Sequence, residues 1–337
     1  MKKLLVVVLL LAGCGYAGSQ GYDWVNYQVQ TPTSPRSQPV NIHIAEGESP
    51  DEIAQDLQAK GLIRNKDVFV YYLRYTGARS RLQAGDFVLD RDMSMAQITD
   101  VLQHSRPSQV SVRLPEGYTV QLMAQEAQKA GLGTAAEYVA AAKEQGWAYD
   151  FLKDKPPGTS LEGFLFPDSY LLNKSAGARD LVKRQLDRFA EVFTPEMRAQ
   201  ASQRGLSVYA LVTLASMVER EVNRDPDRAR VCSVFYNRLS RGLTLDVDAT
   251  VLYGLGKWHE TLTADELARD TPYNTYLHGG LPPGPISNPG LAAITACLAP
   301  ESTTYIHYFT DPRGVTHFAS SDPEFEQQKR QFGVAFQ

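Results

Sequence analysis

The sequence carries no surplus of positive charge: 34 lysines and arginines stand against 38 aspartates and glutamates, a net charge of −4. A chain that gripped a polyanion would show a basic excess, so nucleic acid is not expected as a partner. Cysteine is scarce, with three in 337 residues, which excludes a disulfide-dense scaffold. No Cys-x-x-Cys occurs and the six histidines lack ligand spacing, so neither a metal site nor a cofactor is expected. Long apolar runs are absent beyond the N-terminus, which excludes a polytopic membrane protein. What is present is 43% apolar and 10% aromatic residues, enough for one large or two modest cores.

Lys2 and Lys3 precede an apolar stretch, 4–12, far shorter than the about 20 residues of a membrane span. It closes on Leu11-Ala12-Gly13-Cys14, which resembles the bacterial lipobox. Residues 1–19 are therefore expected to be a signal and anchor segment with lipid attached at Cys14. A cleaved signal peptide or a short uncleaved anchor fits the same residues. Each version exports the body to the extracytoplasmic (periplasmic) side, and the lipid version holds it at the cell membrane. Cys232 and Cys297 sit in apolar helical surroundings and are expected as buried free thiols.

Residues 20–39 are polar and interrupted by Pro32, Pro35 and Pro39, as in a linker. An internal repeat follows at an offset of 70. Val40-Asn41-Ile42-His43-Ile44-Ala45-Glu46-Gly47 matches Val110-Ser111-Val112-Arg113-Leu114-Pro115-Glu116-Gly117, and Gly61-Leu62 matches Gly131-Leu132. Each copy begins with strict alternation, predicting a strand with one buried face, and a helix follows the Glu-Gly turn. Two copies are too few for a solenoid. Residues 40–107 form a compact αβ module similar to the LysM-like domains that bind N-acetylglucosamine chains; a spacer that binds no sugar fits equally. Residues 108–158 are the second strand-helix unit with its connection.

From 159 to 337 a mostly helical domain is expected, with helices at 178–191, 195–204, 208–222 and 226–239 and another before it at 134–145. Loops rich in Gly, Pro and aromatics separate these helices, and stiff long loops are more often binding loops than slack. A β-hairpin around Asp311-Pro312-Arg313-Gly314, with His307 and His317 as exposed strand residues, precedes a terminal helix. The fold class is α+β.

Val208, Val212, Ala215 and Val222 form one helical stripe, and Glu219 falls inside it. Glu221 lies about 200° further round and is expected to face away. An inward carboxylate is costly when ionised, so burial raises its pKa unless a cation compensates. Such an acid can protonate a leaving glycosidic oxygen, as a general acid must. A structural ion pair with Arg230 or Arg238 is the competing account. The aromatic loops offer Phe164, Phe166, Tyr170, Tyr273 and Tyr276 to sugar faces, with core packing as the alternative. Asn237, Arg238, Asp246, Asp248 and Thr250 could fix hydroxyl groups or orient Glu219. Asn274 could as readily build a turn.

Four motifs now occur in order: Ala215-Ser216-Met217-Val218-Glu219-Arg220-Glu221, Val234-Phe235-Tyr236-Asn237-Arg238-Leu239, Tyr273-Asn274-Thr275-Tyr276, and Gly280-Leu281-Pro282-Pro283-Gly284-Pro285-Ile286-Ser287-Asn288-Pro289-Gly290. Together they resemble the endolytic murein transglycosylase family (MltG, YceG-like), and Glu162-Gly163-Phe164-Leu165-Phe166-Pro167-Asp168 resembles one of its loops. The resemblance spans about residues 40–335. It implies cleavage of nascent peptidoglycan strands to 1,6-anhydro ends at a membrane, with Glu219 as catalytic acid/base. It further implies substrate contacts from Glu162, Phe166, Asp168, Asn237, Arg238, Asp248, Thr250, Tyr273, Asn274, Thr275, Tyr276, Pro285 and Asn288. Peptidoglycan synthases are candidate partners. The lipobox departs from the spanning helix usual in that family, and Asp246 departs from its motif, leaving the role of that residue open. A lysozyme-like hydrolase using Asp248 or Asp168 as second carboxylate, and a noncatalytic glycan-binding lipoprotein, are the rival readings.

Overall fold

The computed structural model describes residues 21–104, 109–222, 225–258 and 261–334; the expected anchor segment and Cys14 lie outside them. Among the described residues no helix is long and apolar enough to cross a membrane. The chain divides into two units, one reaching Val110 and including Leu171–Ser175, the other comprising Ser111–Tyr170 and Ala176–Gln337.

In the first unit, strand β1 (Pro39–Ile44) pairs antiparallel with β2 (Gly85–Asp90), from Pro39 opposite Asp90 to Ile44 opposite Gly85. Alternation puts Ile42, Ile44, Phe87 and Leu89 on one buried face. Against that core pack α2 (Pro50–Ala59), α3 (Lys66–Thr76) and α4 (Met95–His104). Helix α2 starts with a capping box between Ser49 and Glu52, with Pro50 in its first turn. Leu57, Phe69 and Leu73 are fully buried, each contributing about 1.5–3 kcal/mol of apolar burial. The polar run read as a linker holds a helix, α1 (21–30), whose Val29 joins this core.

The repeat seen in sequence is a repeat of structure. Strand β3 (Gln109–Arg113) and helix α5 (Val120–Lys129) follow the order of β1 and α2. Buried Ile53, Ala54 and Leu57 correspond to buried Met123, Ala124 and Ala127. Both helices end alike: Leu62 N–H bonds to the Leu57 carbonyl and Leu132 N–H to that of Ala127, each after a left-handed glycine, Gly61 or Gly131. β3 pairs with β4 (Ser169–Asn173), and the division between the units falls within both strands.

The second unit is mostly helical. It contains α6 (Ala135–Lys143), α7 (Ala178–Val192), α8 (Pro195–Gln203), α9 (Val208–Glu221), α10 (Asp225–Ser240), α11 (Asp248–Gly254), α12 (Ala264–Leu267) and α13 (Leu291–Leu298). Helix α9 is its centre, packed on α8, α10, α11 and α13, and every residue from Leu211 to Val218 is buried. A hairpin of β5 (His307–Thr310) and β6 (Thr316–Ala319) precedes α14 (Asp322–Phe332).

Two expectations are corrected. Cys232 and Cys297 are not free thiols: α10 and α13 lie side by side, bring the two Cα atoms to 5.4 Å, and a disulfide joins them. His307 and His317 are not exposed strand residues. His307 stacks on Phe325 and bonds to Asp322 at 2.7 Å, while His317 stacks on Phe332 and bonds to Asp311 at 3.1 Å.

The disulfide closes 65 residues of chain, and losing such a bond costs about 2–5 kcal/mol. Cys297→Ala should lower the unfolding free energy from urea titration by that amount, and reductant should lower the wild-type midpoint while leaving the variant unchanged. Equal midpoints for all samples would show that the bond does not stabilise the fold.

Candidate active site

Helix α9 brings two carboxylates to its C-terminal end, where the helix dipole disfavours negative charge. Their surroundings differ. The Glu219 side chain is 6% exposed; its Oε1 accepts from Arg228 Nη2 at 3.1 Å and its Oε2 from the Gly290 N–H at 3.0 Å. Gly117 packs on its stem, where an added Cβ would lie 3.5 Å from Glu219 Cγ. Glu219 is therefore inward, but in a buried ion pair, and the cation is Arg228. Arg230 pairs instead with Glu301, and Arg238 with Asp246.

Glu221 does not face away. It stands on the wall of a cavity of about 480 Å³ that Asp246, Asp248, Tyr276, Tyr308 and Arg238 also line. Tyr308, on β5, donates its hydroxyl to Glu221 Oε2 at 2.8 Å. Burial first, and then the charge of Asp248, push the Glu221 carboxyl above the usual range. Hydrogen bonds from Tyr308 and the Ala249 amide, and the charge of Arg220, work in the opposite direction. The helical wheel failed here because α9 is buried on all sides, so no single stripe marks its inner face.

Asp248 opens α11 and accepts the Tyr276 hydroxyl at 2.7 Å. Arg238 donates to the Thr244 carbonyl at 2.6 Å, to the Ile306 carbonyl at 2.8 Å and to Asp246. Asp246 is the one described non-glycine residue with a left-handed backbone, φ 54°, a conformation that the ion pair with Arg238 helps hold. Of the expected substrate contacts, Arg238, Asp248 and Tyr276 meet in this cavity.

The others do not line it, and their hydrogen bonds and contacts go to the chain itself. Asn274 is fully buried and makes a turn, donating to the carbonyls of Leu267 and Arg269 and accepting from the Tyr276 N–H. Thr275 accepts the Val247 N–H at 3.0 Å and shares a hydrogen bond with buried Thr250. Asn237 donates to the carbonyls of Thr303 and Tyr305, and Tyr273 packs on Tyr253. Phe166 lies in an aromatic cluster with Phe189, while Asp168 pairs with Arg188 at 2.9 Å.

Glu162 and Asn288 form a second buried node. Glu162 accepts the Val120 N–H at 3.0 Å, holding the start of α5, and the Asn288 amide at 2.8 Å. Asn288 also accepts from the N–H groups of Gly163 and Leu165. At Gly163, with φ 89°, an added Cβ would come within 2.6 Å of Pro285 and 2.7 Å of Val212, so only glycine fits. Burial pushes the Glu162 carboxyl up to about 8, against the hydrogen bonds from Val120, Tyr253 and Asn288. Reading the sequence missed the roles of Glu221 and Tyr308. A second carboxylate two residues from the first was visible, but nothing local linked it to a tyrosine 87 residues away.

The profile of the YceG-like family matches residues 42–331. The endolytic murein transglycosylase of Bacillus subtilis is 30% identical over 309 residues, 87% of this chain and 84% of that protein. That of Streptococcus pneumoniae is 29% identical, and the match takes in 96% of this chain and 63% of the longer pneumococcal protein. The crystal structure of a YceG-like protein from Listeria monocytogenes is similar with a TM-score of 0.60 and 28% identity, covering 87% of this chain and all of that one.

Because Glu162 is raised from 4.5 to about 8 in the folded chain, the native state binds the extra proton between those values. Its contribution to stability is complete below pH 4.5 and is lost as pH rises through about 8. Thermal midpoints should therefore fall across that window, and Glu162→Gln should flatten the fall. A variant whose midpoint declines as steeply as the wild type would remove Glu162 as its source.

Proposed function

The chain belongs to the YceG-like family, and on that premise we propose that it is an endolytic murein transglycosylase. The reading has it cut the β-1,4 bond between N-acetylmuramic acid and N-acetylglucosamine inside glycan strands. The observation that carries it is the Glu221 carboxyl on the wall of a sugar-sized cavity, beside Tyr308 and Asp248. Glu221 is the acid/base in this account. Glu219, the residue singled out from sequence, has both carboxylate oxygens engaged by Arg228 and Gly290 and serves to hold α9 and the start of α13 in place.

Glu221 gives its proton to the glycosidic oxygen as the bond from that oxygen to the muramic C1 breaks. The bonding electron pair leaves with the N-acetylglucosamine O4. The C6 hydroxyl of the same muramic residue then attacks C1, and its proton returns to Glu221. No water is consumed, and the product is a 1,6-anhydro end. The nucleophile is held within the substrate, so one carboxyl acting as acid and then base suffices. Asp248 supplies negative charge as the sugar becomes oxocarbenium-like, with Tyr276 fixing its orientation. Asp248 is also the carboxylate that a hydrolase would need; Asp168, tied to Arg188, is not at the cavity.

In the same reading the body works on the extracytoplasmic face, held to the membrane through the N-terminal segment with Cys14 as the lipid site. The Cys232–Cys297 disulfide supports export, since an oxidising compartment sustains such bonds. The order β1–α2–α3–β2 supports a LysM-like role for residues 40–107.

Glu221→Gln should lower kcat by roughly 10²–10⁴-fold on purified glycan strands. Glu219→Gln should keep turnover and lose about 1–3 kcal/mol of stability. Mass spectrometry of the products should show ends one water lighter than reducing ends. Reducing ends alone would establish hydrolysis, and an active Glu221→Gln enzyme would sink this assignment.

The protonated acid is required first, so activity should fall as pH rises through the raised Glu221 pKa. Asp248→Asn removes a repelling charge and should move this alkaline limb to lower pH. Tyr308→Phe removes a hydrogen bond to the ionised form and should move it higher. Limbs that stay fixed in both variants would show that Glu221 does not set the profile.

A further inference from the structure

Helices α1 and α3 of the first unit expose an aromatic face that the chemistry above does not use. Tyr22, Tyr71 and Tyr75 are 72%, 62% and 81% exposed. They line a groove of about 530 Å³ floored by Val25 and Val29. Tyr71 and Tyr75, one helical turn apart, stack with their rings 6.5 Å apart and 13° from parallel.

Three features identify what this face meets. Its large side chains are tyrosines, whose rings combine an apolar body with a polar edge and settle at the headgroup level of bilayers. Helix α1 and residues 66–85 together carry Lys66, Arg74, Arg79 and Arg81 against Asp23 and Asp67, a basic excess. All three arginines are exposed, and Arg81 reaches the Thr76 carbonyl at the C-terminal end of α3. Finally, only eight residues, 13–20, separate the apolar stretch 4–12 from Gly21, the first described residue. Fully extended, such a tether spans at most about 28 Å, so an anchored chain keeps this face near the bilayer surface.

We propose that the Tyr22–Tyr71–Tyr75 face, with Arg74, Arg79 and Arg81 beside it, docks on the headgroup layer of an anionic phospholipid membrane. The inference rests on the reading that the N-terminal segment anchors the chain. Docking adds a second contact to the tether and fixes the orientation of the first unit on the bilayer.

The test uses the full chain reconstituted with vesicles of phosphatidylethanolamine and phosphatidylglycerol, some brominated near the headgroup. Flotation reports the anchor, and the emission added by Tyr71→Trp, measured against the unsubstituted chain, reports the face. That added emission should be quenched by brominated lipid. In a Tyr22→Ser, Tyr75→Ser variant carrying the same Tyr71→Trp change, with an unchanged circular dichroism spectrum, the quenching should be at least halved while flotation persists. Flotation without quenching of the Tyr71→Trp emission overturns docking alone. Failure to float overturns the anchor and docking together. Quenching lost on adding soluble chitooligosaccharide, with the chain still floating, would mark the face as a sugar platform and overturn the membrane assignment.

Discussion

A carboxylate at the C-terminal end of a buried helix opposes both the helix dipole and the loss of water, so it persists only where partners offset those costs. Helix α9 carries two and resolves them differently. Glu219 is paired with Arg228, in a setting that also holds the Glu116 carboxyl, and is bonded to the start of α13. Glu221 receives a tyrosine hydroxyl and one backbone amide, stands near a second carboxylate, and is held above the ordinary carboxylate range. The first arrangement consumes the charge in building the fold. The second leaves a proton available at a cavity, which is the property that the proposed chemistry requires.

The frame around that cavity is made of polar groups turned inward onto backbone. Asn274, Thr275 and Thr250 pin the segments that carry Tyr276 and Asp248. Arg238 draws together the loop before α11 and the strand that carries Tyr308. Away from the cavity lining, Glu162 and Asn288 likewise fix two long loops against α5 through hydrogen bonds to backbone and to each other. Side chains of this kind resemble ligand contacts in a sequence, because they are polar and lie in glycine- and proline-rich loops. Their hydrogen-bonding capacity is instead taken up by the chain itself, which keeps the few groups at the cavity in position.

The first unit, with its short antiparallel pair and packed helices, contributes no residue to that chemistry. Its aromatic face and the arginines after α3 suit it to a role in placing the chain at a surface, while the second unit acts on the strand.

Local pattern alone determined most of the strands and helices, though not β4, because alternation, capping boxes and left-handed glycines act within a few residues. The copy at offset 70 kept its buried positions and helix ends, and the motif order pointed to the family. Tertiary structure decided what depends on distant partners. Cys232 and Cys297 become a disulfide only once α10 lies on α13. Arg228, on α10, claims Glu219, while Tyr308, 87 residues from Glu221, reaches that carboxyl only once β5 packs beside α10. A helical wheel presumes one dry face; α9 is dry on every face, so packing rather than periodicity chose which carboxylate meets the cavity.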